Sequence, residues 1–304
     1  MKNKLSVTIA IPAYNEGRNI YDLLQSILSQ KQTFFLLEKI MVLSDGSTDN
    51  TVREAKRIKD KRLQVIGHNS RTGKIRMLNF AFNKNKSDVL IQLDADVILK
   101  GKETLDNLIL PFIKDEKTSI VYGNQVPFEA KTYVGKLAYF GFYAWEEAKK
   151  MVNADRYNCF GCITAFSKTF LKKYQLPETG NYYTEDTYSF YYAKKYNHQT
   201  FFAPNAVALF TLPSNMRDYS HQMNRYLTTA GDMKVIFGES LVKKHETIGT
   251  FVKSAGLVKY SLKNPPHLSV GYIFLQSWPK LRSLFHKEQI NWEQINSSKK
   301  NVNA

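Results

Sequence analysis

Cysteine is nearly absent from this sequence. Only Cys159 and Cys162 occur in 304 residues, as Cys-Phe-Gly-Cys, with no second pair and no histidine cluster to complete a redox or metal site. Two reduced thiols flanking a glycine turn are what remains. Long apolar runs are missing too. A spanning helix needs roughly 18–20 consecutive apolar residues, and the best stretch, 268–278, is interrupted by Ser and Gly, so no membrane crossing is expected. The opening residues lead straight into a strand-like segment without the apolar centre of a secretion signal, so export is not expected either. Acid is the scarce charge: 27 Asp and Glu against 43 Lys and Arg leave a formal charge of +16. Such a surface attracts anions, whether nucleic acid, an acidic membrane or a phosphorylated substrate. No recognition motif for nucleic acid accompanies the charge, and that partner is not expected.

What is present is alternation. Residues 7–11, Val-Thr-Ile-Ala-Ile, form the β-rich apolar run of a buried parallel strand. Ile20, Leu23, Leu24, Ile27 and Leu28 then recur at helical spacing within 19–30. Strands at 39–43, 63–66 and 88–93 interleave with helices at 51–58, where Asp49 is the expected N-cap, and at 73–83. Less regular order follows: helices at 103–113, 133–152, 186–195 and 216–237, strands at 120–126 and 164–166, and no internal repeat. The pattern predicts an α/β, Rossmann-like, mainly parallel sheet flanked by helices, in which ligands bind outside the carboxyl ends of the strands. Polar clusters at 13–17, 44–49 and 94–96 fall at those ends.

Residues 239–304 read as an appended basic, aromatic helical extension, broken at Pro265-Pro266. From 243 onward ten Lys or Arg face three Glu, interleaved with Phe251, Tyr260, Tyr272, Phe274, Trp278 and Phe285. That composition suits peripheral contact with an anionic membrane. The aromatic helix carrying Tyr139, Phe140, Tyr143 and Trp145 suits a core, an acceptor groove or a lipid interface.

Asp94-Ala95-Asp96 closes an apolar strand, and two carboxylates on such a turn can reach one hard cation, Mg2+ or Mn2+, while leaving coordination sites for a pyrophosphate. A pair of acids that merely turns the chain accounts for the same residues. Pro12 and Ala13 can offer backbone groups to a flat base, Glu16 can accept from a ribose hydroxyl, and Asp45 can accept the imide N–H of uracil or belong to a turn with Gly46. Gly73 and Lys74 open a helix whose first amides suit phosphate.

Taken together, Pro12-Ala13-Tyr14-Asn15-Glu16, Asp45-Gly46-Ser47-Thr48-Asp49, Gly73-Lys74 with Asn79, Asp94-Ala95-Asp96 and Thr184-Glu185-Asp186 resemble family 2 glycosyltransferases of the GT-A fold over roughly residues 6–227. The resemblance implies a nucleotide-sugar donor, usually UDP-linked, a divalent metal and inversion at the anomeric carbon. It implies Asp96 as the main metal carboxylate, Asp94 near ribose and pyrophosphate, and Asp186 as the base for the acceptor hydroxyl. Gly161 is similar to the family's acceptor turn, with Glu185 beside the base. Gln222, Arg225 and Tyr226 resemble the glutamine and arginine motif of membrane polysaccharide synthases, with Tyr in place of the usual Trp. The implied protein has a GT-A domain over 1–238, its nucleotide half about 1–100 and its acceptor half about 101–238. It would transfer a hexosyl or N-acetylhexosaminyl group to a saccharide or lipid-linked acceptor on the cytoplasmic, inner face of the cell membrane. Transfer to polyprenyl phosphate, or binding without turnover, stays open beside it.

Overall fold

Strand β1 (Leu5–Ala13) lies at the centre of the molecule because its residues from Val7 to Ala13 are buried, with the one polar side chain among them, Thr8, bonded to Ser87. Val7, Ile9, Ile11 and Ala13 face one cluster of the core and Ala10 the other. A computed structural model describes residues 4–152, 158–178, 184–245 and 248–285, with the backbone alone for 225–231 and 279–285. β1 lies parallel between β2 (Phe35–Asp45) and β4 (Val89–Leu93), and β3 (Leu63–His68) extends β2 in parallel. The crossovers are α1 (Ile20–Leu28), α2 (Thr51–Ala55) and α3 (Lys74–Lys84). This half is parallel, as the alternation requires.

The other half is mixed. β7 (Ile163–Ser167) joins β4 antiparallel, β6 (Thr118–Pro127) pairs antiparallel with β7, β8 (Gln199–Phe210) runs parallel to β6, and the short β5 (Ile98–Leu99) closes the edge. The eight strands therefore stand in the order β3-β2-β1-β4-β7-β6-β8-β5. β8 is absent from the sequence reading because Pro204-Asn205 looks like a break. The ladder survives by bulging: Gly123 pairs Ala203 and Asn124 pairs Val207, so three residues loop out between them.

Helices α1, α2 and α4 (Thr104–Lys114) cover one face of the sheet with Leu23, Leu24, Ile27, Ala55, Leu105 and Ile109. The other face is covered by α3, α6 (Lys168–Leu171), α7 (Glu185–Lys195), α8 (Met216–Phe237) and α9 (Glu239–His245) through Leu78, Phe82, Phe170, Phe190, Phe237 and Val242. A third cluster, with Leu137, Tyr219 and Leu275, joins α5 (Tyr133–Lys149) to α8 and α11 (Pro266–Phe285); α10 (Thr250–Ser261) lies against α5 as well. Residues 250–285 thus form two helices parted at Pro265-Pro266 and packed on the main body, while 286–304 of the expected extension lie outside the described residues. Asp49 is not the N-cap of α2, which is Asn50. From one residue upstream, Asp49 Oδ1 accepts from the Thr51 amide at 2.9 Å while Oδ2 accepts from Gly17 at 3.0 Å, tying the loop after β1 to α2.

Candidate active site

The loops that leave β1 and β2 are sewn together by short polar side chains. Asn15, at φ 53°, accepts from the Thr48 amide at 2.8 Å and donates its own amide to Ser47 Oγ at 3.1 Å. Gly46, at φ 67°, passes so close to Arg71 that a Cβ would sit 2.6 Å from its nitrogen; only glycine fits. Buried Asp45 accepts at Oδ1 from the Thr72 amide (2.6 Å) and Thr72 Oγ1 (2.9 Å), and at Oδ2 from the Gly73 amide (2.8 Å). Those bonds fill three of the carboxylate's roughly four acceptor positions and set its charge at the N-terminus of α3. The Arg71 guanidinium lies 4.2 Å from the Tyr14 ring centroid. Glu16 Oε2 accepts from Asn19 Nδ2 at 2.9 Å, and the buried Pro12 and Ala13 pair with Leu43 and Ser44 at the end of β1.

Lys74, the first residue of α3, carries this loop to the carboxylates. Its Nζ stands 2.6 Å from Asp94 Oδ1 and also donates to Glu185 Oε1. Gln92, on β4, donates to Glu185 Oε1 at 3.0 Å and to the Gly161 carbonyl at 3.1 Å. The Gly161 amide donates to Asp186 Oδ2 at 3.2 Å, and a Cβ on Gly161 would meet Glu185 Oε1 at 2.9 Å. Polar contacts and adjacent residues therefore connect Asp45 through Gly73 and Lys74 to Asp94, and onward through Glu185, Gln92 and Gly161 to Asp186. Ala95 is buried and Asp96 half-buried on the same turn.

Two carboxylates, Asp94 and Glu185, share one ammonium, and the charge of Asp96 acts on Asp94 from the same turn. Burial pushes the Asp94 carboxyl up to about 7; Lys74 opposes that shift, while the charges of Glu185 and Asp96 add to it. Burial likewise works to raise Glu185, but Lys74 and Gln92 outweigh it and hold that group below its ordinary value. Burial works to lower Lys74, and its two carboxylate partners reverse the sign and raise it. Lys74 and Asp94 keep 31% and 28% of their side-chain surface exposed, so solvent reaches the pair. Among the described residues, no three or more His, Cys, Asp or Glu stand together as metal ligands. The donor set still fits Mg2+ or Mn2+, which bind through one or two carboxylates and complete their shell with water and phosphate oxygens.

Gln92 escaped the sequence reading; its signal was a lone amide inside an apolar strand. Replacing it with Leu should keep its bulk but leave the Gly161 carbonyl and part of Glu185 unpaired, costing about 1–3 kcal/mol in urea denaturation. Gln222 is half-buried on α8, which packs against α7, while the side chains of Arg225 and Tyr226 lie outside the described residues. Cys159 and Cys162 are buried thiols with no disulfide.

A sequence profile described as Glycosyl transferase family 2 matches residues 8–175, more than half of the chain. The chain belongs to glycosyl transferase family 2. Among its relatives is the poly-beta-1,6-N-acetyl-D-glucosamine synthase of Staphylococcus aureus, 28% identical over 132 residues, which are 43% of this chain and 31% of the synthase. Another is the undecaprenyl-phosphate 4-deoxy-4-formamido-L-arabinose transferase of Proteus mirabilis, 30% identical over 94 residues, or 30% of this chain and 29% of that enzyme. The matched segment thus spans under a third of either relative's length. In three dimensions the family 2 chain is similar to a mannosyltransferase, PcManGT from Pyrobaculum calidifontis, solved with GDP-Man and Mn2+. The TM-score is 0.61 at 16% identity, covering 93% of this chain and 85% of that one. Glucosyl-3-phosphoglycerate synthase from Mycobacterium tuberculosis, solved with Mn2+, UDP and phosphoglyceric acid, gives 0.52 at 15% identity over 76% and 78%. The likeness establishes the GT-A architecture.

Proposed function

We propose that this family 2 glycosyltransferase moves a sugar from a nucleotide diphosphate, UDP-linked by preference, to a hydroxyl of a saccharide or lipid-linked acceptor with inversion. The supporting observation is the double engagement of Lys74, which joins the turn after β4 to the first turn of α7. Asp96, with Asp94, would hold Mg2+ or Mn2+; a divalent ion bound there supplies neutralisation of the charge gathering on the departing diphosphate. Pro12, Ala13, Tyr14, Glu16 and Asp45 line the nucleoside side, and the first amides of α3 beside Gly73 and Lys74 favour phosphate. Asp186 takes the proton of the acceptor hydroxyl as its oxygen bonds to the anomeric carbon and the bond to the diphosphate oxygen breaks. Gly161 keeps side chains out of the acceptor's approach, and Gln222, Arg225 and Tyr226 are assigned to acceptor and diphosphate.

A panel of nucleotide sugars, with Mn2+ and candidate acceptors, tests the reading by nucleotide release; Asp96→Asn retaining the wild-type rate would remove the role given to Asp96. The proton on Asp94 competes with the cation. A carboxyl raised in the folded state contributes stability at low pH that is lost as pH climbs through its folded value. The melting-temperature gain from Mn2+ should therefore grow between about pH 5 and 7 and level off above; a gain independent of pH in differential scanning fluorimetry would contradict it.

The Proteus mirabilis relative favours a second reading, transfer to a polyprenyl phosphate. That nucleophile is already anionic, so an Asp186→Asn variant would still transfer to it while failing with a saccharide hydroxyl.

A further inference from the structure

Helices α10 and α11 turn more apolar surface outward than water-facing helices have use for. On α10 Phe251, and at its C-cap Leu262, are each 85% exposed, and with the exposed Val258 they recur seven and four residues apart, along one stripe. On α11, Val270, Ile273 and Phe274 repeat the pattern. The helices cannot roll over to hide these side chains, because their inner faces are locked to α5. A Cβ on Gly256 would lie 2.6 Å from the Ala148 nitrogen, and one on Gly271 would lie 2.8 Å from Leu137 Cδ2. On α5 itself, the space beside Gly141 is filled by the Tyr272 ring. Tyr260 and Tyr272 both pack against Phe140, at ring-centroid distances of 5.1 and 5.8 Å.

Charge supplies the second observation. Residues 248–285 contain five Lys or Arg and not one Asp or Glu. Lys259 does meet Glu147 of α5 at 2.8 Å, but Lys150 shares that same acid at 3.0 Å, and Lys253 rests 5.7 Å from the Trp145 ring centroid. The stripes are thus bordered by a surplus of positive charge. A second copy of the chain would set like charge against like, which disfavours self-association through this face. Among the described residues, no helix is long and apolar enough to cross a membrane.

We propose that the outward faces of α10 and α11 dock on an anionic lipid bilayer, lying in its surface with Phe251, Leu262 and Phe274 below the headgroups and the lysines among the lipid phosphates. This rests on the surface alone and stands whichever sugar or acceptor the site around Lys74 uses. The far end of α5 reaches the turn at Phe160 and Gly161, where Lys149 Nζ lies 4.8 Å from the Phe160 ring centroid, so docking fixes the height of that turn above the lipid.

Co-sedimentation of the full chain with vesicles tests it. Vesicles containing phosphatidylglycerol should pull the protein down, pure phosphatidylcholine vesicles should not, and raising salt should release it. The triple variant Phe251→Ser, Leu262→Ser, Phe274→Ser should bind at least about tenfold more weakly with an unchanged melting temperature, and Lys263→Gln about fivefold more weakly. A triple variant that sediments like the wild type overturns the proposal, as does indifference to the anionic lipid. So does a wild-type dimer, seen by light scattering, that the triple variant converts to monomer without any vesicle binding.

Discussion

Exchanging Asp186 for Asn should lower transfer to a hydroxyl acceptor by about 10²–10⁴-fold, the range a positioned base contributes. Geometry says what else changes. Asp186 Oδ1 accepts from the Thr187 amide at 2.5 Å and Oδ2 from the Gly161 amide at 3.2 Å. An Asn can keep one of these acceptors, but its amide nitrogen then confronts the N–H of the other partner. A loss of about 0.5–1.5 kcal/mol in stability should accompany the loss of rate. Initial rates of nucleotide release beside thermal melts separate the two, and a variant that melts earlier but transfers at the wild-type rate would leave Asp186 as a helix-capping residue only.

Exchanging Lys74 for Met should damage both folding and turnover. It removes the ammonium that joins Asp94 to Glu185 and leaves these two carboxylates, with Asp96 acting on Asp94, to repel one another. Breaking a fully buried pair costs about 3–5 kcal/mol. Here the partial exposure of Lys74 and Asp94 reduces the expectation to about 1–3 kcal/mol. The sign with pH follows. Without the ammonium, the folded-state carboxyls titrate above their unfolded values, so they bind protons more readily when folded and the deficit shrinks as pH falls. Added Mn2+ should recover part of the stability by supplying the missing positive charge, and should do so more for the variant than for the wild type. Chemical denaturation at several pH values, with and without the ion, measures this; a deficit that grows on acidification would refute the account.

The first half of the sheet was legible because its signals are local. The apolar run of β1, the helical spacing of Ile20 to Leu28 and the acidic turn after β4 each carry their meaning within a few residues. The second half was not, because its order depends on partners. β8 contains a proline and an asparagine that argue against a strand, and only the matching bulge opposite Gly123 explains how the ladder tolerates them. The site divides the same way. Asp94, Asp96, Glu185 and Asp186 could be picked out as motifs, yet the contact between Lys74 and Glu185 spans 111 positions of sequence. No periodicity encodes a bond of that length. The lone amide of Gln92 does not name its partners for the same reason, since Gly161 leads into the antiparallel β7 and Glu185 opens α7. Asp49 was misjudged by a single residue, a displacement that local preference does not resolve.

The three hydrogen bonds received by Asp45 carry a last consequence. They hold the bend at Thr72 and Gly73 in one shape through contacts inside the protein, so its conformational freedom was surrendered when the chain folded. A phosphate bound there, as proposed, would meet first-turn amides of α3 already pointed in fixed directions. The entropy that a slack loop would lose at that moment is not subtracted from its affinity.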